Sequence, residues 1–131
     1  MNDLLCDEFQ NRVSELLIRH KSVLDIVSKS QECNARVNRA VMKSVTSCGC
    51  LKIVAEKKPL PEDSSYQDLK NLLDSNLEGK LCPSCNETIE SELGKSLFYY
   101  AALCNSLDIN LYDVLIKEHK KLSTLRYFNF T

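Results

Sequence analysis

Apolar residues recur three and four positions apart along most of the chain, a spacing that predicts amphipathic helices. The first 48 residues contain neither Gly nor Pro. We therefore expect two long helices there, with Asp3 as the first N-cap and a corner at residues 20–22. Their inward-facing positions are predicted to be Leu5, Phe9, Val13, Leu16, Leu17, Val23, Ile26, Val27, Cys33, Val37 and Val41.

The helical pattern breaks at residues 48–50, and a different kind of segment follows. Residues 51–55 are partly β-branched and predict a brief strand. Pro59 and Pro61 predict a loop after it. A short helix is expected at about residues 65–76, with Leu69, Leu72 and Leu73 facing inward.

Helical spacing returns after residue 85. Asn86 is expected to cap a third long helix, and Asn110 with Asp113 to open a last one. The predicted inner faces of these two helices carry Ile89, Leu93, Leu97, Ala101, Cys104, Leu111, Leu115, Leu122 and Leu125. The pattern thus predicts an all-α protein, a single domain over residues 1–131 with an insertion at about residues 48–85 between the second and third long helices.

Composition narrows the class of protein further. A chain of 131 residues with 44% hydrophobic and 27% charged residues suits one globular domain, and only 3 Gly and 3 Pro argue against a turn-rich sandwich or barrel. The net charge of −1 creates no general attraction to nucleic acid or to an anionic membrane. The opening segment is acidic where a signal peptide is basic, and no segment is long and apolar enough to span a membrane, so we expect a cytoplasmic protein.

Two cysteine pairs carry the clearest chemical signal. Cys48 and Cys50 form a Cys-x-Cys pair, Cys82 and Cys85 form a Cys-x-x-Cys pair, and 31 residues separate the two pairs. Four thiolates suit the tetrahedral shell of zinc, and a shell closed by four protein ligands is structural because no position is left for water. We therefore predict one structural zinc ion; an iron–sulfur cluster, a redox-switchable disulfide and four free loop thiols remain the alternatives.

The remaining cysteines and both histidines receive simpler interpretations. Cys6, Cys33 and Cys104 fall on apolar helical faces, where a cysteine behaves as a small hydrophobe. His20 and His119 are expected at the surface or near helix ends.

Residues 92–104 (ELGKSLFYYAALC) and 107–111 (LDINL) resemble the second signature of the MazG-like nucleotide pyrophosphohydrolases. The resemblance implies an all-α bundle in which carboxylates on two helices hold Mg²⁺ against the nucleotide phosphates. The first signature would fall on residues 31–40, where Glu32 matches a metal-binding glutamate, as Glu92 does in the second. The chain also resembles a small bacterial family with the same cysteine pairs.

Three metal-binding carboxylates of that superfamily are missing from this chain. Cys33, Arg36 and Lys95 stand in their places, and two of these replacements reverse the charge. Because a cation there repels Mg²⁺, we expect an ion-pair cluster across the helix interface in place of the metal cluster. Unrelated surface charges are the simpler alternative, and a displaced magnesium site at Glu87, Glu90 and Glu92 is a further one.

Three functions follow from these expectations. The favoured one is a non-catalytic, zinc-stabilised helical protein that acts through self-association or an unknown protein partner. The resemblance implies a dimer, for which the apolar tail at residues 125–130 offers a surface. The alternatives are a nucleoside triphosphate pyrophosphohydrolase with a remodelled metal site, and a zinc-dependent nucleic-acid-binding or redox-responsive module. The basic residues that suggest nucleic acid are more simply a solvated face; they are Arg36, Arg39, Lys43, Lys52, Lys57 and Lys58.

Overall fold

The computed structural model describes residues 2–17 and 21–125, and side-chain burial for residues 4–17, 21–70 and 72–124. The expectation of a mainly helical protein is confirmed. The elements are α1 (Asn2–Leu16), α2 (Val23–Lys43), a π-helical turn (Ser44–Cys48), β1 (Leu51–Ile53), α3 (Tyr66–Leu72), β2 (Leu77–Gly79), α4 (Pro83–Ser106) and α5 (Leu111–Leu125). The predicted corner at residues 20–22 and the predicted apolar tail at residues 125–130 lie partly outside the described residues, and His20 lies wholly outside them.

The chain forms two compact units. One unit, called here the helical unit, consists of the residues up to Ala35 and those from Glu92 onward; the other, the cysteine unit, runs from Arg36 to Ser91. The predicted insertion at about residues 48–85 lies inside the cysteine unit. That the whole chain is one domain stays a prediction.

A small core holds the helical unit together. Val13, Ile26, Ala101 and Ala102 are almost completely buried. The side chains packed against them are Phe9, Leu17, Phe98, Tyr99, Leu103 and Leu111. Adjacent alanines on α4 let neighbouring helices approach closely, because interaxial distance depends on the side chains at the contact.

The predicted inner faces are only partly correct. Among the expected inward positions, Val13, Ile26, Cys33, Ile89 and Ala101 are buried. Other expected inward positions are exposed: Leu5, Leu16, Val23, Val27, Val41, Leu72, Leu73, Leu93, Leu97, Leu115 and Leu122. The physical reason is that each apolar stripe is wider than the strip that neighbouring elements cover.

Local signals predicted some helix starts and missed others. Asp3, expected as the first N-cap, lies inside α1, which already includes Asn2. A helix was expected from about residue 65, and α3 begins there. The Ser65 hydroxyl accepts the Asp68 N–H, and the Asp68 carboxylate accepts the Ser65 N–H, so Ser65 opens α3 with a capping box. Asn110 Oδ1 accepts the Asp113 N–H at 2.9 Å, as expected for the start of α5. The prediction for Asn86 was wrong: α4 begins at Pro83, because proline suits the first helical position, where its missing N–H costs nothing.

The predicted strand at residues 51–55 is confirmed for Leu51–Ile53, and its partner was missed. β2 pairs antiparallel with β1, with Leu51 opposite Gly79 and Ile53 opposite Leu77. No helix among residues 2–17 and 21–125 has both the length and the apolar character that crossing a bilayer requires.

A buried glutamine joins α1 to the turn between α4 and α5. Gln10 Nε2 donates to the Ile109 carbonyl at 2.7 Å, and Gln10 Oε1 accepts the Leu111 N–H at 2.8 Å. Asn105 Nδ2 donates to the Gln10 carbonyl at 3.0 Å. Gln10 therefore satisfies backbone groups at the first turn of α5 that would otherwise have no partner there.

We predict that Gln10→Ala lowers the free energy of unfolding by about 2 kcal/mol, because it leaves the Ile109 carbonyl and the Leu111 N–H without their buried partner. Chemical denaturation measures the loss. Asn11→Ala is the matched control, since Asn11 is exposed on the same helix and should change stability by less than about 0.5 kcal/mol. Equal effects of the two substitutions would contradict the role given to Gln10.

Candidate metal centre

The four cysteines of the two predicted pairs lie together in the cysteine unit. The sulfur atoms of Cys48, Cys50, Cys82 and Cys85 are all within 4.8 Å of one another. Cys48 Sγ lies 3.7 Å from Cys82 Sγ, well beyond the bonded distance of about 2.05 Å, and all four are free thiols. This is the one such group of three or more His, Cys, Asp or Glu side chains among the residues that the structure describes.

The first cysteine pair is carried by the π-helical turn and the residues that end it. Gly49 adopts a left-handed conformation with φ 81°, and its N–H donates to the Ser44 carbonyl at 3.0 Å. This left-handed residue reverses the chain between Cys48 and Cys50, which lets both sulfurs reach one point. Cys50 Sγ also lies 3.7 Å from the carbonyl oxygen of Ser44, a fully buried residue.

The second pair is carried by the first turn of α4. Cys82 precedes Pro83 and takes the place of an N-cap residue: its sulfur accepts the Cys85 N–H at 3.4 Å, and its carbonyl accepts the Asn86 N–H at 2.9 Å. An N-cap oxygen ordinarily makes this bond to the third helical residue. Helix geometry therefore places Cys82 and Cys85 side by side.

The short antiparallel hairpin brings the two pairs together. Cys50 directly precedes Leu51, which lies opposite Gly79, and Gly79 comes three residues before Cys82. Gly79 has φ +87°, and a Cβ atom at this position would collide with the carbonyl oxygen of Cys50. The approach of the two chain segments thus requires glycine at residue 79.

Hydrogen bonds inside the cluster separate the acidities of its thiols. The backbone N–H of Cys85 donates to Cys82 and lowers the pKa of Cys82 to about 7. The hydrogen bond with the Cys82 side chain raises the pKa of Cys85 to about 12. These bonds therefore favour the thiolate at Cys82 and the protonated thiol at Cys85. Because metal uptake displaces the remaining thiol protons, metal affinity falls as the pH falls.

The donor set and its spacing fit a tetrahedral metal ion. Metal–sulfur bonds of about 2.3 Å place tetrahedral sulfurs about 3.8 Å apart, close to the 3.7 Å between Cys48 and Cys82. Thiolates are soft ligands, which bind zinc, Cu(I) and iron–sulfur clusters rather than Mg²⁺ or Ca²⁺. The four cysteines could therefore hold a metal ion. Cys48 is exposed, and the other three side chains are half-buried.

Two glutamates that match the MazG-like metal site, Glu32 on α2 and Glu92 on α4, are not part of the cysteine cluster. Glu92 pairs with Lys95 at 3.5 Å and Glu32 with Lys29 at 3.1 Å, and each of these two pairs is one turn apart on a single helix. The pair of Lys95 with Glu92 therefore forms within α4. The sequence analysis had expected Lys95 to pair across a helix interface, which is not seen among the residues that the structure describes. Cys33 is buried, as predicted for a small hydrophobe.

Two buried oxygens on α4 escaped the sequence reasoning. Glu92 Oε2 and Ser96 Oγ, one helical turn apart, are buried and lack a hydrogen-bond partner. Buried polar atoms are ordinarily satisfied by protein or by ordered water. The missed signal was the Glu-x-x-x-Ser spacing within the apolar run, which places both side chains on one face of the helix.

Fold and site together define the class: a mainly helical protein with a four-cysteine cluster that could bind a metal ion. Comparison of the chain with protein families, with curated proteins and with solved structures finds no match. The MazG-like resemblance therefore stays a prediction.

We predict that Gly79→Ala disrupts the cysteine cluster, because the added methyl group adds a clash with the Cys50 carbonyl to the cost of a left-handed backbone. Titration with Co²⁺, followed by its thiolate absorption, should show weakened binding by the variant. Gly49→Ala is the control: it shares the positive φ, but its Cβ would meet nothing within 4 Å, so only about 1–2 kcal/mol of strain is expected. A Gly79→Ala protein that binds Co²⁺ as tightly as the Gly49→Ala protein would contradict the proposed close approach.

Proposed function

We propose that the protein is a zinc-stabilised helical protein in which the metal is structural, and that it acts by association and not by catalysis. The observation that carries the proposal is the convergence of four cysteine sulfurs within 4.8 Å. Zinc supplies four strong bonds to thiolates in a tetrahedral arrangement, and such structural sites contribute directly to the free energy of folding.

The surroundings of the four sulfurs support a structural role. Within the cysteine unit, one pair ends the π-helical turn and the other opens α4, so four ligands would clamp two segments that are joined by only a three-residue hairpin pairing. A two-stranded hairpin is at best marginally stable in water by itself. A closed four-thiolate shell leaves no coordination position for a substrate or a water molecule.

The substitutions in the MazG-like motifs support a non-catalytic role. Lys95 places its ammonium group 3.5 Å from Glu92 Oε1, the oxygen that would otherwise be available to a divalent cation. Magnesium binding depends on carboxylate oxygens, and a nearby positive charge opposes it. We therefore propose that the chain is a degenerate relative of that superfamily that has exchanged the catalytic metal site for ion pairs.

An exposed apolar face on α4 supports self-association. Leu93, Leu97 and Tyr100 are 47%, 55% and 43% exposed; we call these three residues the α4 ridge. Their spacings of four and three residues average 3.5, which is the repeat of a seam that packs against another helix. We assign the ridge to a second copy of this chain, because a two-fold axis lets the same patch meet itself and a net charge of −1 offers little repulsion between copies.

We predict that the protein purifies with about one zinc ion per chain, and that Cys50→Ser or Cys82→Ser removes the ion and lowers the melting temperature. Elemental analysis and calorimetry measure the two effects. Cys104→Ser is the matched control, since Cys104 is half-buried and lies outside the cluster. Iron in place of zinc, or no metal in protein purified without chelators, would overturn the assignment.

The same preparation tests the runner-up function, a pyrophosphohydrolase with a remodelled site. The buried, unpartnered Glu92 Oε2 is the observation that favours it. Nucleoside triphosphates with Mg²⁺ or Mn²⁺, assayed for pyrophosphate, should give no turnover. Turnover that is lost in Glu92→Gln would replace the non-catalytic proposal.

We predict that Leu97→Glu abolishes self-association, because it places a charge at the centre of the α4 ridge in each copy. Sedimentation velocity over a range of concentrations should show dimers for the parent chain and monomers for the variant. Leu24→Glu is the control, since Leu24 is 77% exposed on α2 and lies outside the ridge. A parent chain that stays monomeric at the highest concentration would refute the assignment of a second copy.

A further inference from the structure

We infer that oxidation of the cysteine cluster joins Cys48 to Cys82, so that a disulfide between the two cysteine pairs takes over the clamp when the metal leaves. The inference rests on the proposed zinc site and concerns its regulation. The oxidant is a hydroperoxide, a class of compound that oxidises thiolates.

The geometry selects this pair of sulfurs. Cys48 and Cys82 stand 34 positions apart in the chain, and their sulfurs face each other at 3.7 Å. To form a disulfide, the two sulfurs have to move about 1.7 Å closer to each other. Side-chain rotation about χ1 moves a sulfur atom by more than this.

Access selects the sulfur that reacts first. Cys48 is exposed, whereas Cys50, Cys82 and Cys85 are half-buried. All four sulfurs are thiolates when they bind the metal, so exposure decides which of them reacts, and a hydroperoxide reaching the cluster from solvent meets Cys48 first.

Competing pairings within each cysteine pair are held back by local contacts. Cys50 Sγ is directed toward the Ser44 carbonyl, at 3.7 Å, on its own segment. Cys82 Sγ accepts the Cys85 N–H, a bond that orients this sulfur as a helix cap while leaving it in contact with Cys48. The sulfur of Cys82 is thus held 3.7 Å from the exposed Cys48, in an orientation that leaves it open to attack.

Formation of the disulfide consumes one hydroperoxide and needs no other reactant apart from protons from solvent. The Cys48 thiolate attacks the hydroperoxide, the O–O bond breaks, and the products are the Cys48 sulfenic acid and water or an alcohol, with a proton taken from solvent. The Cys82 thiolate then attacks the Cys48 sulfur and displaces hydroxide, which solvent protonates. Two sulfurs lose two electrons in total, and one hydroperoxide gains them. Only two of the four metal ligands, Cys50 and Cys85, then remain. They release the ion and take up protons.

The consequence distinguishes this pairing from one inside either motif. A Cys48–Cys82 bond connects the end of the π-helical turn to the start of α4, the same two segments that the metal would connect. A Cys82–Cys85 or Cys48–Cys50 bond would leave those segments unjoined. The oxidised protein is therefore expected to lose its metal and to retain its clamp.

The test treats the full-length zinc-loaded protein with hydrogen peroxide, measures released zinc with a chromogenic chelator, and maps disulfides by mass spectrometry after alkylation. We expect release of the bound zinc, a Cys48–Cys82 linkage as the main product, and a melting temperature above that of reduced, chelator-stripped protein. Cys85→Ser should still form the linkage, and Cys48→Ser should not.

A linkage confined within either pair, or zinc release with no disulfide, would overturn the inference while leaving the zinc site intact. Purified protein that holds no zinc would refute the proposed function instead. In that case the peptide map of the metal-free protein still decides whether Cys48 joins Cys82, so the two failures are distinguishable.

Discussion

Four cysteine sulfurs lie within 4.8 Å of one another, and thiols gain little from such proximity unless a cation draws them together. The backbone has to supply the approach. It does so through the hairpin register that places Leu51 opposite Gly79, and through the missing side chain of Gly79, which leaves room for the Cys50 carbonyl. The left-handed Gly49 and the N-cap geometry of Cys82 then direct the sulfurs toward one another. Much of the cysteine unit follows from this one convergence.

The helical unit depends on a different kind of contact. Among the residues whose burial the structure describes, its core cluster has four almost completely buried side chains, and two of them are alanines. Gln10 adds directional bonds that tie α1 to the start of α5, and these bonds are valuable because buried backbone groups without partners are costly. Large apolar side chains remain exposed on α4 and α2, including Leu97 and Leu24. A unit built in this way gains from further burial, which is the physical basis of the proposed self-association.

The π-helical turn and the start of α4 would be joined in two ways, by a metal ion or by a disulfide. In the proposed metal-bound state four thiolates would share a cation; in the proposed oxidised state a covalent bond between Cys48 and Cys82 would connect the same segments. A clamp that works in both states protects a hairpin of three residues per strand from opening. The exposure of Cys48 is what the proposed oxidation depends on.

Signals confined to a few neighbouring residues were predicted well. Asn110 with Asp113 opens α5 as predicted, because capping depends on a side chain and an N–H three residues away. Ser65 with Asp68 follows the same local rule at the start of the short helix expected from about residue 65, although the sequence analysis did not single out this pair. Both cysteine pairs could be recognised because the two ligands of each pair are close neighbours in the sequence. β2 was missed, since Leu77–Gly79 contains no β-branched residue and becomes a strand only because β1 lies beside it.

Periodicity alone decided that the chain is mainly helical and which residues share a helix face. It could not decide which face is covered, because burial depends on which other elements pack there; Leu93 and Leu97 lie on a predicted inner face and are exposed. Folding in three dimensions also decided that Gln10 reaches Ile109 and Leu111, about a hundred positions away along the chain. Such contacts are set by the closure of long loops, about which the spacing of residues along the chain carries no information.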